Sequence, residues 1–332
     1  MEQNMKPSIL CILLLAVLPF TAAAQETALT VVATSNILAD VASHVGGDLV
    51  SVTALIPPGA DGHAWQPTPA DVLKVAQADL VLAVGIGYET FLGGLAENAA
   101  DVPQVIVSNG IGILPFGGHD HEDEEHAEEH VGIYGEPGVC EDRAEEDHAD
   151  EEEHEHGACD PHVWTDPNNV IIWANNIAEA FAAADPANAE IYRARAAAYA
   201  DELKTLDAEI EHILAVVPEE RRVLVTNHEF LSYFAHRYGF RVVGGILGGS
   251  TLDEPDPQTL AELVKTVRAL NIPAIFAEVS ASSRFADVIA SEAGIMVVSD
   301  LYSESLSGAD GPASTYADYL RYNAQKIAEA LG

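Results

Sequence analysis

Basic residues are scarce in this 332-residue chain: 15 Lys and Arg stand against 53 Asp and Glu, for a formal net charge of -38. A field of that sign excludes nucleic acid and anionic membrane surfaces as partners, and it favours attraction of cations. Cysteine is limited to Cys11, Cys140 and Cys159, so no disulfide can staple the body outside the stretch that holds the last two. Long apolar runs are missing after the first two dozen residues, and no later segment has the roughly 20 apolar residues that a helical membrane span requires. No HExxH-type helix and no well-placed general base accompany the histidines, which argues against a secreted zinc hydrolase.

The first residues read as a secretory signal peptide covering 1–24. Lys6 gives a weakly basic start, Ile9 to Leu18 form a short apolar stretch, and Ala22-Ala23-Ala24 offers small residues for cleavage before Gln25. Cys11 lies inside the apolar stretch and is followed by Ile-Leu-Leu-Leu, a poor context for lipid attachment. The expectation is a soluble, exported protein that is not a lipoprotein.

What is abundant is histidine beside carboxylate. Seven of the thirteen histidines (His119, His121, His126, His130, His148, His154 and His156) lie within residues 119–156, together with eighteen acidic residues and the single basic residue Arg143. Imidazole nitrogens and carboxylate oxygens both ligate divalent transition metals, and Zn²⁺ accepts either. With almost nothing apolar to bury, this segment should stay unfolded until cations arrive, and its histidines set it apart from a merely solubilising acidic run. It reads as an auxiliary array of weak metal sites within an insert spanning 117–159. Cys140 and Cys159 fall in the same insert. In an oxidising compartment a disulfide between them is the default; thiolate metal ligation and free thiols remain open, since Cys159 lies three residues before His162.

Outside the insert, short β-rich runs alternate with helical stretches, the signature of parallel α/β architecture. Strands are expected at Leu29–Ala33, Val50–Ile56, Leu80–Val84 and Gln104–Ser108, with helices at Ile37–Val45, Pro69–Ala78 and Phe91–Ala99. A further helix follows at Asn169–Ala184. From Ala187 to about Val216, Ile191, Ala194, Ala198, Leu203, Leu206, Ile210 and Leu214 recur at near-helical spacing without Gly or Pro, which predicts one long helix. The opening pattern then returns. Val31-Val32-Ala33-Thr34-Ser35-Asn36 is echoed by Val223-Leu224-Val225-Thr226-Asn227-His228. Pro67-Thr68-Pro69 is echoed by Pro255-Asp256-Pro257, and Val105-Ile106-Val107-Ser108-Asn109 by Met296-Val297-Val298-Ser299-Asp300. Three echoes in one order predict two related lobes of parallel sheet flanked by helices and bridged by one long α-helix. The boundaries are 25–184 for the N-terminal lobe, 185–217 for the link and 218–332 for the C-terminal lobe.

In open parallel sheets, ligands bind beyond the carboxyl ends of strands. His63 lies there in a loop stiffened by prolines, and His162 sits in the proline-bracketed Asp160–Pro167 stretch. His228 ends one strand of the second lobe, and Asp300 follows the strand expected at Ile295–Ser299. Three neutral imidazoles and one carboxylate are a plausible four-coordinate shell for Zn²⁺. His44, His212 and His236 fall on predicted helices and read as structural.

Through Gly59–His63, Pro67–Asp71, Asp160–Trp164, Thr226–Phe230 and Ser299-Asp300 the chain resembles the metal-specific solute-binding proteins of ABC uptake transporters, of the zinc type (the ZnuA/TroA-like, cluster A-I group). The resemblance covers essentially everything after residue 24, including a charged His-rich insert before the second ligand. It implies a periplasmic protein, not an enzyme, that captures one Zn²⁺ tightly between its lobes. It further implies delivery to a permease and its ATPase, with a periplasmic zinc metallochaperone as donor and a monomeric state. His63, His162, His228 and Asp300 fall on the ligand positions that the resemblance implies. Manganese-type members usually place glutamate at the third position, so His228 tilts the site toward Zn²⁺, although Glu229 one residue on would restore a carboxylate. Asp61-Gly62-His63 replaces the commoner Pro-His form. A manganese-binding relative, a zinc hydrolase and a free-standing zinc buffer are the rival readings.

Overall fold

The computed structural model describes residues 28–96, 101–115, 159–247, 251, 255 and 257–332. Its first sheet is built from β1 (Leu29–Ala33), β2 (Val50–Ala54), β3 (Leu80–Ala83) and β4 (Gln104–Ile106), all parallel, in the order β2-β1-β3-β4. Residues Val31–Ala33 of β1 and all of β3 are buried, whereas β2 at the edge alternates half-buried with exposed positions. That contrast is what two covered faces, against one, demand of a strand. Three helices connect these strands: α1 (Asn36–Gly46), α2 (Pro69–Ala76) and α3 (Leu92–Ala96). Ser35 caps α1 by accepting from the Leu38 N–H at 3.2 Å, satisfying one of the orphan donors of the first turn.

The second sheet repeats the scheme with β5 (Val223–Thr226), β6 (Arg241–Gly245), β7 (Ala274–Glu278) and β8 (Met296–Leu301), again parallel, in the order β6-β5-β7-β8. The helices of this half are α6 (Ser232–Tyr238), α7 (Pro257–Ala269), α8 (Arg284–Ala293) and α9 (Tyr316–Leu331). Each sequence echo falls on equivalent elements: the first strand of each lobe, the second long crossover helix, and the outer strand β4 or β8. The two lobes thus share one topology.

Between them lie α4 (Pro167–Ala184) and the 26-residue α5 (Ala189–Leu214). The long helix starts two residues later than expected, because Pro186–Asn188 forms a 3-10 turn first. Its buried seam is Tyr192, Ala196, Tyr199, Leu203, Leu206, Ile210 and Leu214, while Ile191, Ala194 and Ala198 face solvent. The N-terminal half of the stripe is therefore one or two residues out of the expected register. The phenol rings of Tyr192 and Tyr199 bury more apolar surface than the alanines could, and they turn that face inward. α5 packs against α4, α1 and α9, so the last helix returns from the second lobe to the interlobe spine.

Candidate metal centre

Four loops at the carboxyl ends of strands bring chemistry to one point. The loop after β2 carries His63. Asp61 closes it by accepting from the N–H groups of His63 (3.0 Å) and Ala64 (3.2 Å). The other Asp61 oxygen accepts from the Thr251 hydroxyl of the second lobe at 2.7 Å. His162 precedes the 3-10 turn Val163–Thr165. Asp160 accepts from its backbone N–H at 2.9 Å and from its Nδ1 at 2.7 Å, and the Tyr233 hydroxyl donates to the Asp160 carbonyl. His228 follows β5, and its Nδ1 donates to Glu278, the last residue of β7, at 2.8 Å. Glu304 lies in the loop after β8.

His63, His162, His228 and Glu304 each offer one ligand atom, and these atoms lie within 4.8 Å of one another. Nε2 of His162 is 3.3 Å from that of His63 and 3.4 Å from that of His228. Glu304 Oε1 stands 3.0 Å from His63 Nε2, 3.1 Å from His228 Nε2 and 3.7 Å from His162 Nε2. Four ligands tetrahedrally placed at about 2.0–2.1 Å from Zn²⁺ would be about 3.3–3.4 Å apart. These separations scatter around that value.

The electrostatics point the same way. Because Asp160 and Glu278 hold the Nδ1 protons, His162 and His228 turn Nε2 to the centre, where loss of its proton would expose a lone pair to a metal. His162, His228 and Glu304 are essentially fully buried, and His63 is slightly exposed. Glu304 Oε1 meets no polar group other than the three imidazoles. Burial alone would push His228 down, but the Glu278 and Glu304 carboxylates outweigh it and raise the imidazole to about 10. His162 is likewise raised, burial being overcome by Asp160 and Glu304. Burial would lift Glu304, yet the three imidazoles hold it well below the ordinary carboxylate range. A pocket so rich in electron pairs calls for positive charge at its centre, supplied by protons or by a cation.

Asp300 does not join this cluster. β8 runs on to Leu301, which pairs with Glu278, so Asp300 lies within the strand rather than beyond it. Its carboxylate turns to α9 and accepts from the Tyr322 hydroxyl at 2.8 Å and from Lys326 Nζ at 2.7 Å. Glu304, three residues past the true strand end, stands in its place. Glu229 also faces elsewhere, accepting from the Gly245 N–H at 3.2 Å. Besides Glu304, sequence reasoning missed Asp160 and Glu278. Asp160 stood two residues before a candidate ligand, and Glu278 ended an apolar strand, the only charge in Ala274–Glu278. His44 stacks on Tyr199 at 4.5 Å from α1, and His212 and His236 lie on α5 and α6, outside the cluster. The insert histidines His119, His121, His126, His130, His148, His154 and His156 lie outside the described residues. So does Cys140, the expected partner of Cys159, whose half-buried thiol is free among the described residues.

Residues 31–330 match the family described as zinc-uptake complex component A, periplasmic (ZnuA). The iron-binding protein YfeA of Yersinia pestis is 32% identical over 302 residues, covering 91% of this chain and 86% of that protein. The manganese-binding lipoprotein MntA of Halalkalibacterium halodurans is 29% identical over 303 residues, covering 91% of this chain and 88% of that protein. A relative named as a lipoprotein runs against the expectation of a chain without a lipid anchor; Cys11 itself lies outside the described residues. Among solved structures, the periplasmic zinc-binding protein TroA of Treponema pallidum superposes with a TM-score of 0.75 at 25% identity, over 92% of this chain and all of that one. Its two-lobed α/β fold is the fold described above. Members of the family are substrate-binding components, not enzymes. The chain belongs to the ZnuA family, the periplasmic divalent-metal-binding components of ABC transporters.

Proposed function

We propose that this chain captures Zn²⁺ between its lobes, outside the cytoplasmic membrane, and delivers it to a permease driven by an ATPase. The observation that carries the reading is the set His63, His162, His228 and Glu304, three nitrogens and one oxygen spaced as a tetrahedral zinc shell requires. A manganese or iron site would favour more oxygen ligands and a larger coordination number. The names of YfeA and MntA keep those ions as the second reading. Glu304 fills the position that a hydrolytic zinc centre would leave to water.

The His-rich insert acts as a weak multivalent antenna that raises the local zinc concentration beside His162. We further assign residues 1–24 as a cleaved signal, the Cys140–Cys159 pair as a disulfide, and the working state as a monomer fed by a periplasmic metallochaperone. Calorimetric titration with Zn²⁺, Mn²⁺ and Fe²⁺ tests the reading. One tight zinc site is expected in the full chain, and it should persist when residues 119–156 are deleted while weaker sites vanish. Equal or tighter manganese binding would overturn the assignment of the cargo. Loss of the tight site on deletion would overturn the division of labour between cleft and insert.

A further inference from the structure

The two oxygens of Glu304 have different neighbours. Oε1 faces the three imidazoles and meets no other polar group. Oε2 is taken by the loop that carries His63: it accepts from the Gly62 N–H at 2.6 Å and from the His63 N–H at 3.2 Å. Both donors are backbone groups in a loop already closed by Asp61, and the carboxylate is buried.

We propose that the Gly62 and His63 amides set the metal specificity of the site by restricting Glu304 to a single ligand atom; the inference rests on the reading of the cluster as a zinc site. A free carboxylate can chelate through both oxygens and raise the coordination number to five or more. Turning Oε2 toward an ion would break both hydrogen bonds and leave the buried Gly62 N–H without a partner, the His63 N–H keeping only Asp61, which is costly. The shell therefore closes at four. Zn²⁺ accepts four ligands without loss, whereas Mn²⁺ and Fe²⁺ are left under-coordinated.

Position 62 must be glycine for this clasp. A Cβ there would collide with the Tyr88 hydroxyl and stand 2.7 Å from Glu304 Oε2. Tyr88 is itself fixed, buried against Trp164 with ring centroids 5.2 Å apart. A methyl at position 62 would therefore push the loop off the carboxylate and release Oε2.

The test uses the full chain loaded with Co²⁺, whose visible absorption distinguishes four-coordinate from five- and six-coordinate sites, together with zinc–manganese competition. The wild type should give a four-coordinate spectrum. Gly62→Ala should shift the spectrum to higher coordination and lower the zinc-over-manganese preference at least tenfold. Retention of both by a folded Gly62→Ala protein would overturn the inference. Because that variant could fail to fold, crystal structures of the zinc- and manganese-loaded wild type give an independent measurement. Glu304 should bind the ion through one oxygen and the two amides through the other. Chelation through both oxygens would sink this inference while leaving the zinc reading intact; absence of any ion at the three imidazoles would remove both.

Discussion

At the scale of single residues, the carboxylates behind the imidazoles orient the rings that face the centre. Glu278 holds His228 in one tautomer, and Asp160 does the same for His162. Glu278→Gln should weaken zinc binding by about 10- to 100-fold with an unchanged circular dichroism spectrum, measured by competition with a chelator. Proton linkage makes a second prediction. Ligation needs a neutral His228, yet its metal-free value is raised to about 10, so zinc must expel a proton throughout the neutral range. Zinc affinity should keep rising with pH well beyond the ordinary imidazole value of about 6.5, where the sequence alone would place the change. Titrations in buffers of different ionisation enthalpy should report proton release at pH 8. The sign for stability is opposite. The raised His228 stabilises the metal-free fold fully below about 6.5 and loses that contribution as pH climbs through about 10. The metal-free melting temperature should therefore fall across that window. The convergence of the three histidines was legible because His63 and His162 stood in proline-bracketed stretches and His228 at the end of an expected strand. Asp160 and Glu278 were not, since their role depends on a side chain two residues away in one case and fifty in the other.

At the scale of elements, the fourth member of the cluster turned on where one strand stops. Ending the strand at Ser299 made Asp300 the first residue past the sheet, but the ladder continues to Leu301. The side chain of Asp300 is spent on Tyr322 and Lys326 of α9. Local sequence could not reveal this, because the added pairing comes from Glu278 on a different strand. Asp300→Ala should leave zinc affinity unchanged and cost at most about 1 kcal/mol, since the pair with Lys326 is partly exposed. Glu304→Gln should weaken zinc by more than about 100-fold, exceeding the effect of losing an outer carboxylate. Competition titration and chemical denaturation of both variants check the assignment; a zinc defect in Asp300→Ala would reverse it. The long helix shows the same limit. Its extent was readable from the lack of Gly and Pro, whereas its inward face at Tyr192 and Tyr199 was set by aromatic packing against α4 and α1.

At the scale of the whole molecule, the duplicated plan was readable because three sequence echoes recur in order, and they fall on matching strands and helices. The duplication also has a thermodynamic consequence. His63 and His162 belong to the chain before α5, and His228 and Glu304 to the chain after it. An ion held by all four ligates both lobes at once, and neither lobe can unfold without giving up half of its ligands. Binding to the native state alone stabilises it by about 4 kcal/mol at a free zinc concentration of 1,000 Kd. For a body of this size that is a rise in Tm on the order of 10 °C. Scanning calorimetry of the zinc-loaded chain should show a single transition displaced upward as a whole, and a chelator should return it to the metal-free position. If zinc raised only part of a divided transition, the ion would be bound by one lobe. The cleft would then not be where the cargo is carried.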